Sequence, residues 1–497
     1  MLRTKRQDAH TRAHDRRSMS STLSAYELER AQNIRDNHAT LLALGIEKLA
    51  PAPKAKPIKG AATNKREKKQ QVAPRQRSLR QRNLDVDGSQ LPETEVKPEP
   101  PVTETKRQRR SGPLDASKVT AGKTNEEDAV RFFEAVSPAL AVEGKVAKGG
   151  RVSKKFATAS LVDTLRAMTV ADDDMAKLVP ERIFSCAWHP SATKLLVAAG
   201  DTWGKIGLWD CDQPGGTEEE GGSPCVVTFE THSRPVAGLR VAPQRPSVLL
   251  SCSHDGCVRA LDLGGSGSSD VLWSAPADAD GDYATLHGLS ESDASGCVYT
   301  ACGDGTVVRI DPRDSSQQAL GQLHDKKIFS ATLSGGDPSL LATASLDRTV
   351  RVWDLRKVAP KPKPLCELEH GLSVTAAHWS AGGSALLSTC NDNTLRVFRP
   401  SRGWADASCT AAVSHNCKTG RFLTAFQAVW LPGSDDAMLC GSLEHPRGVD
   451  VYSATDGEHL IKMESEPQAS VTSLHAFHPT TGALAAANSS GRVFLWR

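Results

Sequence analysis

The sequence predicts an all-β fold: a seven-bladed β-propeller preceded by a largely disordered basic N-terminal region with one short helix. Three observations lead there. A bulky residue closing a short strand recurs seven times between residues 209 and 496. A turn Asp stands six positions before that residue in four consecutive repeats. The charge is split, with a basic N-terminal third and an acidic remainder.

The repeat is read most easily from "LATASLDRTVRVWDLR", residues 341–356. It reads as strand, tight turn, strand: Val350 and Val352 alternate with polar residues, and Asp347-Arg348 marks the turn. Taking Trp353 as the marker, the same slot holds Trp209, Leu261, Ile310, Trp353, Phe398, Tyr452 and Trp496, with gaps of 52, 49, 43, 45, 54 and 44 residues. The turn position is Asp255, Asp304, Asp347 and Asp392 in the middle repeats, Pro446 and Ser490 in the last two, and displaced at Asp201-Thr202-Trp203 in the first. A period near 40–45 residues is that of four-stranded propeller blades. The chain stops at "RVFLWR", on a third strand, so a segment before blade one must supply the missing outer strand; "DDMAKLV", 173–179, is the candidate.

Composition sets the remaining bounds. The 497 residues carry 39 Gly and 28 Pro with only 5% aromatics, which suits a turn-rich β protein. Residues 1–50 sum to +3, 51–125 to +10 and 126–170 to +1, leaving −11 for 171–497. The domain boundaries follow: 1–50 with a short amphipathic helix at 24–45, a disordered basic linker 51–160, and the propeller 161–497. The helix carries Ala31, Ile34, His38, Leu41 and Leu42 at helical spacing and ends at Gly45, which suits docking on a partner or on the propeller. Within the linker, "KREKK" (65–69) and "KRQRR" (106–110) read as a nuclear import signal or as non-specific DNA contacts. The twelve Cys include two C-x4-C pairs, Cys252/Cys257 and Cys297/Cys302, read as buried thiols because no zinc-type spacing accompanies them. No secretory signal or long apolar run is found, so a soluble intracellular protein with no membrane partner is expected.

The stretch "HDKKIFSATL…LATASLDRTVRVWD" resembles a WD repeat, with His324 before the inner strand, Asp347 in the turn and Trp353 on the third strand. In such repeats the His, a Ser or Thr (here Thr343 or Ser345), the Asp and the Trp form a hydrogen-bonded set. That resemblance assigns Asp255, Asp304, Asp347, Asp392 and Trp353 to structure, with the Asp charges satisfied rather than catalytic. More specific are "VPERIFSCAWHPSATKLLVAAGDTWGKIGLWD" (179–210), "HSRPVAGLRVAP" (232–243), "TGRFLTAFQAVWLP" running to "GSLEHPRGVDVY" (419–452), and "YELERAQNIRDNHATLLALGI" (26–46). Together they resemble the WD-repeat DNA damage-binding family, the changed-mutation-rate proteins of fungi and their animal and plant relatives. The resemblance implies a nuclear protein that binds single- and double-stranded DNA, favours ultraviolet-damaged DNA and acts in genome maintenance.

In a propeller the turn between strands two and three and the loop into strand one share a face. Basic residues assigned to those loops are Arg182, Lys205, Arg234, Lys326, Lys327, Arg348, Arg421 and Arg447. They are the expected DNA-binding set, contacting phosphates. Trp203 and Phe422, beside Lys205 and Arg421, are the candidate wedges for damaged duplex. Acidic runs at 218–220 and at Asp435-Asp436 fall to the opposite face, whereas Asp278, Asp280 and Asp282 fall on the basic side and would suit a histone or other peptide reader instead.

Trp353-Asp354-Leu355-Arg356 also resembles the box by which WD-repeat substrate receptors dock on the large adaptor subunit of cullin–RING ubiquitin ligases. Asp311-Pro312-Arg313 repeats it one blade earlier. Asp311, Arg313, Asp354 and Arg356 are therefore candidate adaptor-docking residues, on the face away from the DNA set; Arg paired locally with its Asp is the alternative. The sequence carries no phosphate loop, nucleophile elbow or metal spacing, so a non-enzymatic monomer without cofactor or metal is expected, with DNA, a ligase adaptor and chromatin proteins as partners.

Overall fold

The computed structural model describes residues 108–141, 158–213, 225–242, 244–265, 267–277, 283–292, 295–357 and 362–497. The expected N-terminal helix and "KREKK" lie outside them, as do residues 218–220 and 278–282. Seven antiparallel sheets form the body. Their innermost strands are Ile183–Trp188, Val236–Ala242, Leu286–Glu291, Ile328–Leu333, Val374–Trp379, Val429–Trp430 and Thr472–Phe477. The inner strands of blades one to six pack on one another in order, that of blade seven packs on Ala437–Gly441 of blade six, and it meets that of blade one, which closes a seven-bladed propeller.

Every marker residue lies on the third strand of its blade. Trp209 is on Lys205–Asp210, Leu261 on Cys257–Asp262, Ile310 on Thr306–Ile310 and Trp353 on Thr349–Asp354. Phe398 is on Thr394–Pro400, Tyr452 on Gly448–Ser453 and Trp496 on Arg492–Trp496. All seven are buried, each filling the space between its own blade and a neighbour. The outer strand of blade seven is Met175–Lys177, which pairs antiparallel with Arg492–Trp496. Thr169 and Arg497 exchange two main-chain hydrogen bonds beside it, and Arg497 pairs with Asp174 at 2.7 Å.

The stretch 51–160 is not linker throughout. Residues Leu114–Asp115 add a fifth strand to blade two by pairing with Ser268–Ser274. A helix, α1, follows at Glu126–Ala141. Its Ala129, Phe132, Phe133, Val136 and Leu140 are buried against blades one and two, and Phe133 stacks on Phe229 with ring centroids 5.4 Å apart. The spacing of those five residues is that of one helical face. A Pro- and Lys-rich neighbourhood hides it in the sequence. A second helix, α2, at Thr158–Ala167, packs Val162 and Leu165 on the core of blades six and seven.

Blade four shows how the loops are fixed. Trp353 Nε1 donates to Thr343 Oγ1 at 2.8 Å, the same oxygen lies 2.7 Å from His324 Nε2, and His324 Nδ1 lies 2.8 Å from Asp347 Oδ2. Thr343 therefore completes the set, whereas Ser345 donates to the Lys327 carbonyl at 2.9 Å. Blade two repeats the pattern with His232 between Ser251 and Asp255, but Leu261 replaces the Trp. Burial alone would raise the Asp255 carboxyl; His232 and the N–H groups of Ser233 and Cys257 outweigh it and hold it at about 2. Asp392 binds Arg396 and the Gly371 N–H instead of a His. Asp304 is exposed, and its carboxylate accepts from the N–H and hydroxyl of Thr306 within its own turn. The His–Asp bonds tie the loop into strand one to the turn between strands two and three, so both lie on one face, the upper face here. After the turn Asp, φ is +75° at Gly256, +91° at Gly305, +75° at Arg348 and +65° at Asn393. That is the left-handed region where glycine is at home.

Blade six departs from the others. Its innermost strand has two residues, and the chain before it, 415–428, bridges blades five and one across the upper face. Thr375 Oγ1 in blade five donates to the Phe426 carbonyl at 3.0 Å, and Thr424 Oγ1 donates to the Ile183 carbonyl in blade one.

Candidate functional site

Residues at the start of three inner strands, with His254 from the blade-two turn between strands two and three, form a chain of rings on the upper face flanked by cations. Lys327 Nζ stands 5.9 Å from the Phe329 ring centroid. Phe329 meets His287 at 6.1 Å, His287 meets His254 at 4.3 Å, and His254 meets Phe184 at 6.0 Å. Arg182 lies 4.8 Å over Phe184 and donates from Nη1 to the Arg421 carbonyl at 2.6 Å. Arg421 in turn lies 4.8 Å over Phe422. The arc thus runs from blade four through blades three, two and one to the bridging loop. Each ring of the inner arc is half-buried, and Phe422 is 73% exposed.

The two imidazoles of the arc carry no charge at neutral pH. Burial, with Lys327 and Arg234 nearby, pushes His254 down to about 4. Burial, His254 and Lys327 push His287 down to about 2. The positive charge of the arc therefore belongs to Arg182, Lys327 and Arg421, while the rings offer neutral planar faces.

The bridging loop also walls a cavity of about 590 Å³, lined by Arg182, Lys418, Arg421, Leu372, Asn391 and Leu423 among others. A second cavity, about 530 Å³, gathers Trp203, Lys205, Glu181, Arg110 and Glu230 between blades one and two. Arg110 pairs there with Glu230 at 3.0 Å. Its neighbour Arg109 donates to the carbonyls of Asp255 and Ala275 at 2.8 and 3.0 Å and lies 3.8 Å over Tyr283. The buried Arg259 donates to the carbonyls of Arg110 and Gly112 at 2.6 and 3.1 Å. The end of the "KRQRR" run is thus held on the upper face, while Lys106 and Arg107 lie outside the described residues.

The WD domain, G-beta repeat, matches residues 223–262, 319–354 and 362–399. WD repeat-containing protein 76 of Xenopus laevis is 32% identical over 485 residues, 95% of this chain and 80% of the relative. DNA damage-binding protein CMR1 of Phaeosphaeria nodorum is 30% identical over 525 residues, 97% of this chain and 99% of the relative. The chain belongs to this WD-repeat family. WD repeat-containing protein 76 of Mus musculus is 30% identical across 96% of the chain and 75% of its own length.

Within the fold of the WD repeat-containing protein 76 and CMR1 family, the expected DNA-binding residues divide into groups. Arg182 and Arg421 share one cavity, and the ring arc links them to Lys327. Lys205 shares the other cavity with Trp203, which is 46% exposed. Arg234 and Lys326 sit in upper-face loops, their carbonyls accepting from Ser253 Oγ and Ser345 Oγ. Arg348 occupies the blade-four turn. Arg447 is on the same face, but its guanidinium donates to the Leu443 carbonyl in its own turn. Four upper-face residues, Trp203, Leu346, Leu372 and Phe422, are exposed large apolar side chains. Lys418, Leu372, His254 and His287 complete the face without any sequence signal of their own: each stands in a loop or strand position that only the ring brings beside Arg182.

On the opposite face, Arg313 donates to both oxygens of Asp311 at 2.9 and 2.6 Å, and Arg356 to both of Asp354 at 2.8 and 3.0 Å. Both pairs follow third strands, in blades three and four. Asp435 is also on this side, accepting from Ser384 Oγ at 2.6 Å. Among the described residues no group of three His, Cys, Asp or Glu side chains is placed to hold a metal ion, and no helix is long and apolar enough to cross a membrane.

Proposed function

We propose that this protein is a non-enzymatic nuclear DNA-binding WD-repeat protein, which binds single- and double-stranded DNA, prefers ultraviolet-damaged DNA and acts in the DNA damage response. The observation that carries this reading is the upper-face arc, where Arg182, Lys327 and Arg421 flank a run of half-buried rings and the exposed Phe422. Cations supply phosphate contacts without reading sequence. Rings and exposed apolar side chains favour strands whose bases are already cheap to unstack, as in damaged duplex. The names of the CMR1 relatives agree with that chemistry. Arg182, Lys205, Arg234, Lys326, Lys327, Arg348, Arg421 and Arg447 are the proposed contacts.

The test is fluorescence anisotropy of the full-length protein with undamaged and irradiated duplexes across a salt series. Substituting Arg182, Lys327 and Arg421 together by Glu should weaken binding more than tenfold. It should also flatten the salt slope by about 0.9 for each phosphate that is no longer neutralised. Unchanged affinity in a folded variant would assign the DNA contact to the tail and end the upper-face reading.

A second reading has its own observation. Arg313 and Arg356 are each locked in a planar two-bond pair yet 69% and 68% exposed, side by side in adjacent blades. A preorganised pair of guanidinium faces suits docking on a cullin–RING ligase adaptor. Arg313→Ala with Arg356→Ala should abolish adaptor co-purification while leaving DNA affinity intact; retained co-purification rejects docking.

A further inference from the structure

Blade three keeps the frame of the loop-tying set without its contents. In blade four, Thr349 donates twice to Asp347 Oδ1, at 3.0 and 2.7 Å, which leaves Oδ2 for His324 Nδ1 at 2.8 Å. His324 is buried there, edge-on to Trp353. Asp304 receives the same two bonds from Thr306, at 2.9 and 2.7 Å, also on Oδ1. Among the described residues its Oδ2 accepts no hydrogen bond and meets no cation. Ile310 stands where blade four has Trp353. Four residues before the inner strand, where blades two and four carry His232 and His324, the sequence has Asp282, a side chain with no proton to donate once ionised.

Between blades two and three this leaves a groove of about 850 Å³, lined by Asp304, Thr306, Val308, Ala319, Trp273 and Tyr283 among others. Its walls are mainly apolar, and Trp273 and Tyr283 are half-buried. The volume is that of a site for several side chains. A carboxylate at an apolar groove calls for a cationic donor and repels phosphate. The chain's own Arg109 lies 3.8 Å over Tyr283, but its Nε and Nη1 are spent on the carbonyls of Asp255 and Ala275.

We propose that this groove docks an extended segment of a partner protein in which one arginine is flanked by apolar residues. The arginine takes the place of the missing imidazole and donates to Asp304 Oδ2. Its neighbours lie on Val308, Ala319 and the Trp273 indole. Arginine fits better than lysine because its group is planar, like the imidazole it replaces, and stacks on aromatic walls as Arg109 does on Tyr283. The site goes beyond the DNA-binding reading and does not depend on it.

The probe is a displayed library of heptapeptides with arginine fixed at the centre and six random positions, selected on the full-length protein with excess duplex DNA present. A library with glutamine at the centre is the control. Peptides with apolar residues beside the arginine should be enriched over the control. Asp304→Asn keeps an oxygen for Thr306 and puts an amide N–H where Oδ2 was. It should weaken the best synthetic peptide about tenfold, the loss of one charge-assisted pair. Citrulline in place of the arginine should cost the wild type the same factor and the Asp304→Asn variant nothing more. Ala319→Trp, at an exposed position of the outer strand, should block the groove and abolish peptide binding with the melting temperature and duplex affinity unchanged. No enrichment over the control, or a peptide that binds both variants as it binds the wild type, overturns the proposal. A peptide lost with Ala319→Trp but kept with Asp304→Asn overturns the arginine assignment.

Discussion

Trp353 Nε1 donates to Thr343 Oγ1 at 2.8 Å, and the exchange is buried between the two strands that flank the blade-four turn. The hydroxyl also serves His324, so one oxygen ties a third strand to the loop that delivers the blade. Thr343→Val keeps the shape and removes that oxygen. It leaves an indole N–H and an imidazole nitrogen without partners, which costs about 1–3 kcal/mol for each buried group. Urea denaturation should therefore rank Thr343→Val below Ser345→Ala, whose Oγ donates to the Lys326 and Lys327 carbonyls and accepts from the Asp347 N–H, so that its loss strands main-chain groups of the turn but no buried side chain.

Arg348 stands at a φ of +75°, where blades two, three and seven place Gly256, Gly305 and Gly491 in the same turn. The left-handed region costs a residue with a Cβ about 1–2 kcal/mol, and glycine's extra freedom in the unfolded chain takes back about 0.5–1 kcal/mol. Arg348→Gly should leave stability unchanged or raise it slightly. The same variant removes one upper-face cation, so a lower salt slope in DNA titrations with an unshifted melting temperature would separate charge from fold. A drop in stability above about 1 kcal/mol would contradict the strain argument.

Neutral imidazoles give the protein an acid-sensitive side. Burial, first of all, pushes His254 and His370 down to about 4, His475 to about 3 and His287 to about 2. The unfolded chain takes up these protons near the ordinary value of about 6.5. The folded chain refuses them, so stability is complete above that pH and falls as pH drops toward the folded values. Each such group contributes a slope of up to about 1.4 kcal/mol per pH unit. Asp255 acts in a separate window, below about pH 4, because its folded value is lowered and its stabilisation is lost only on protonation. Urea midpoints should fall between about pH 6.5 and 5, while DNA affinity stays level between about pH 6.5 and 8 because the arc's imidazoles are neutral throughout. A rise in affinity on mild acidification would mean that His254 or His287 protonates in the complex.

The blades were legible because one slot repeats with one physical demand: a bulky residue on the third strand that fills an inter-blade gap. Tyr452 and Phe398 meet that demand as well as Trp353 does, which is why the register survives without Trp. The turn Asp was a weaker guide. Asp304 keeps the residue type but has no His to receive, and in blade five Arg396 takes the position's charge. Two features needed the third dimension. Helix α1 lies in a stretch read as basic linker, and its five apolar residues count only because blades one and two leave a furrow for them. The stretch "TGRFLTAFQAVWLP" begins in a loop rather than a strand, because Thr424 and Phe426 spend their contacts on blades one and five. That route is what brings Arg421 to Arg182, residues more than two hundred positions apart, and no spacing rule along the chain predicts their meeting.

The pairing of Met175–Lys177 with Arg492–Trp496 joins positions about 320 residues apart, a separation that slows the joining step because the loop must be closed before the contact repays it. The six complete blades can form from local hairpins as they leave the ribosome, but the circle stays open until the final strand is out. Until then the edges of blades seven and one are bare, and they are the surfaces on which a nascent chain would mispair with its neighbours. Closure therefore acts as a late checkpoint: the upper face, assembled from blades one to four and the loop before blade six, becomes a single surface only once Arg492–Trp496 has met Met175–Lys177.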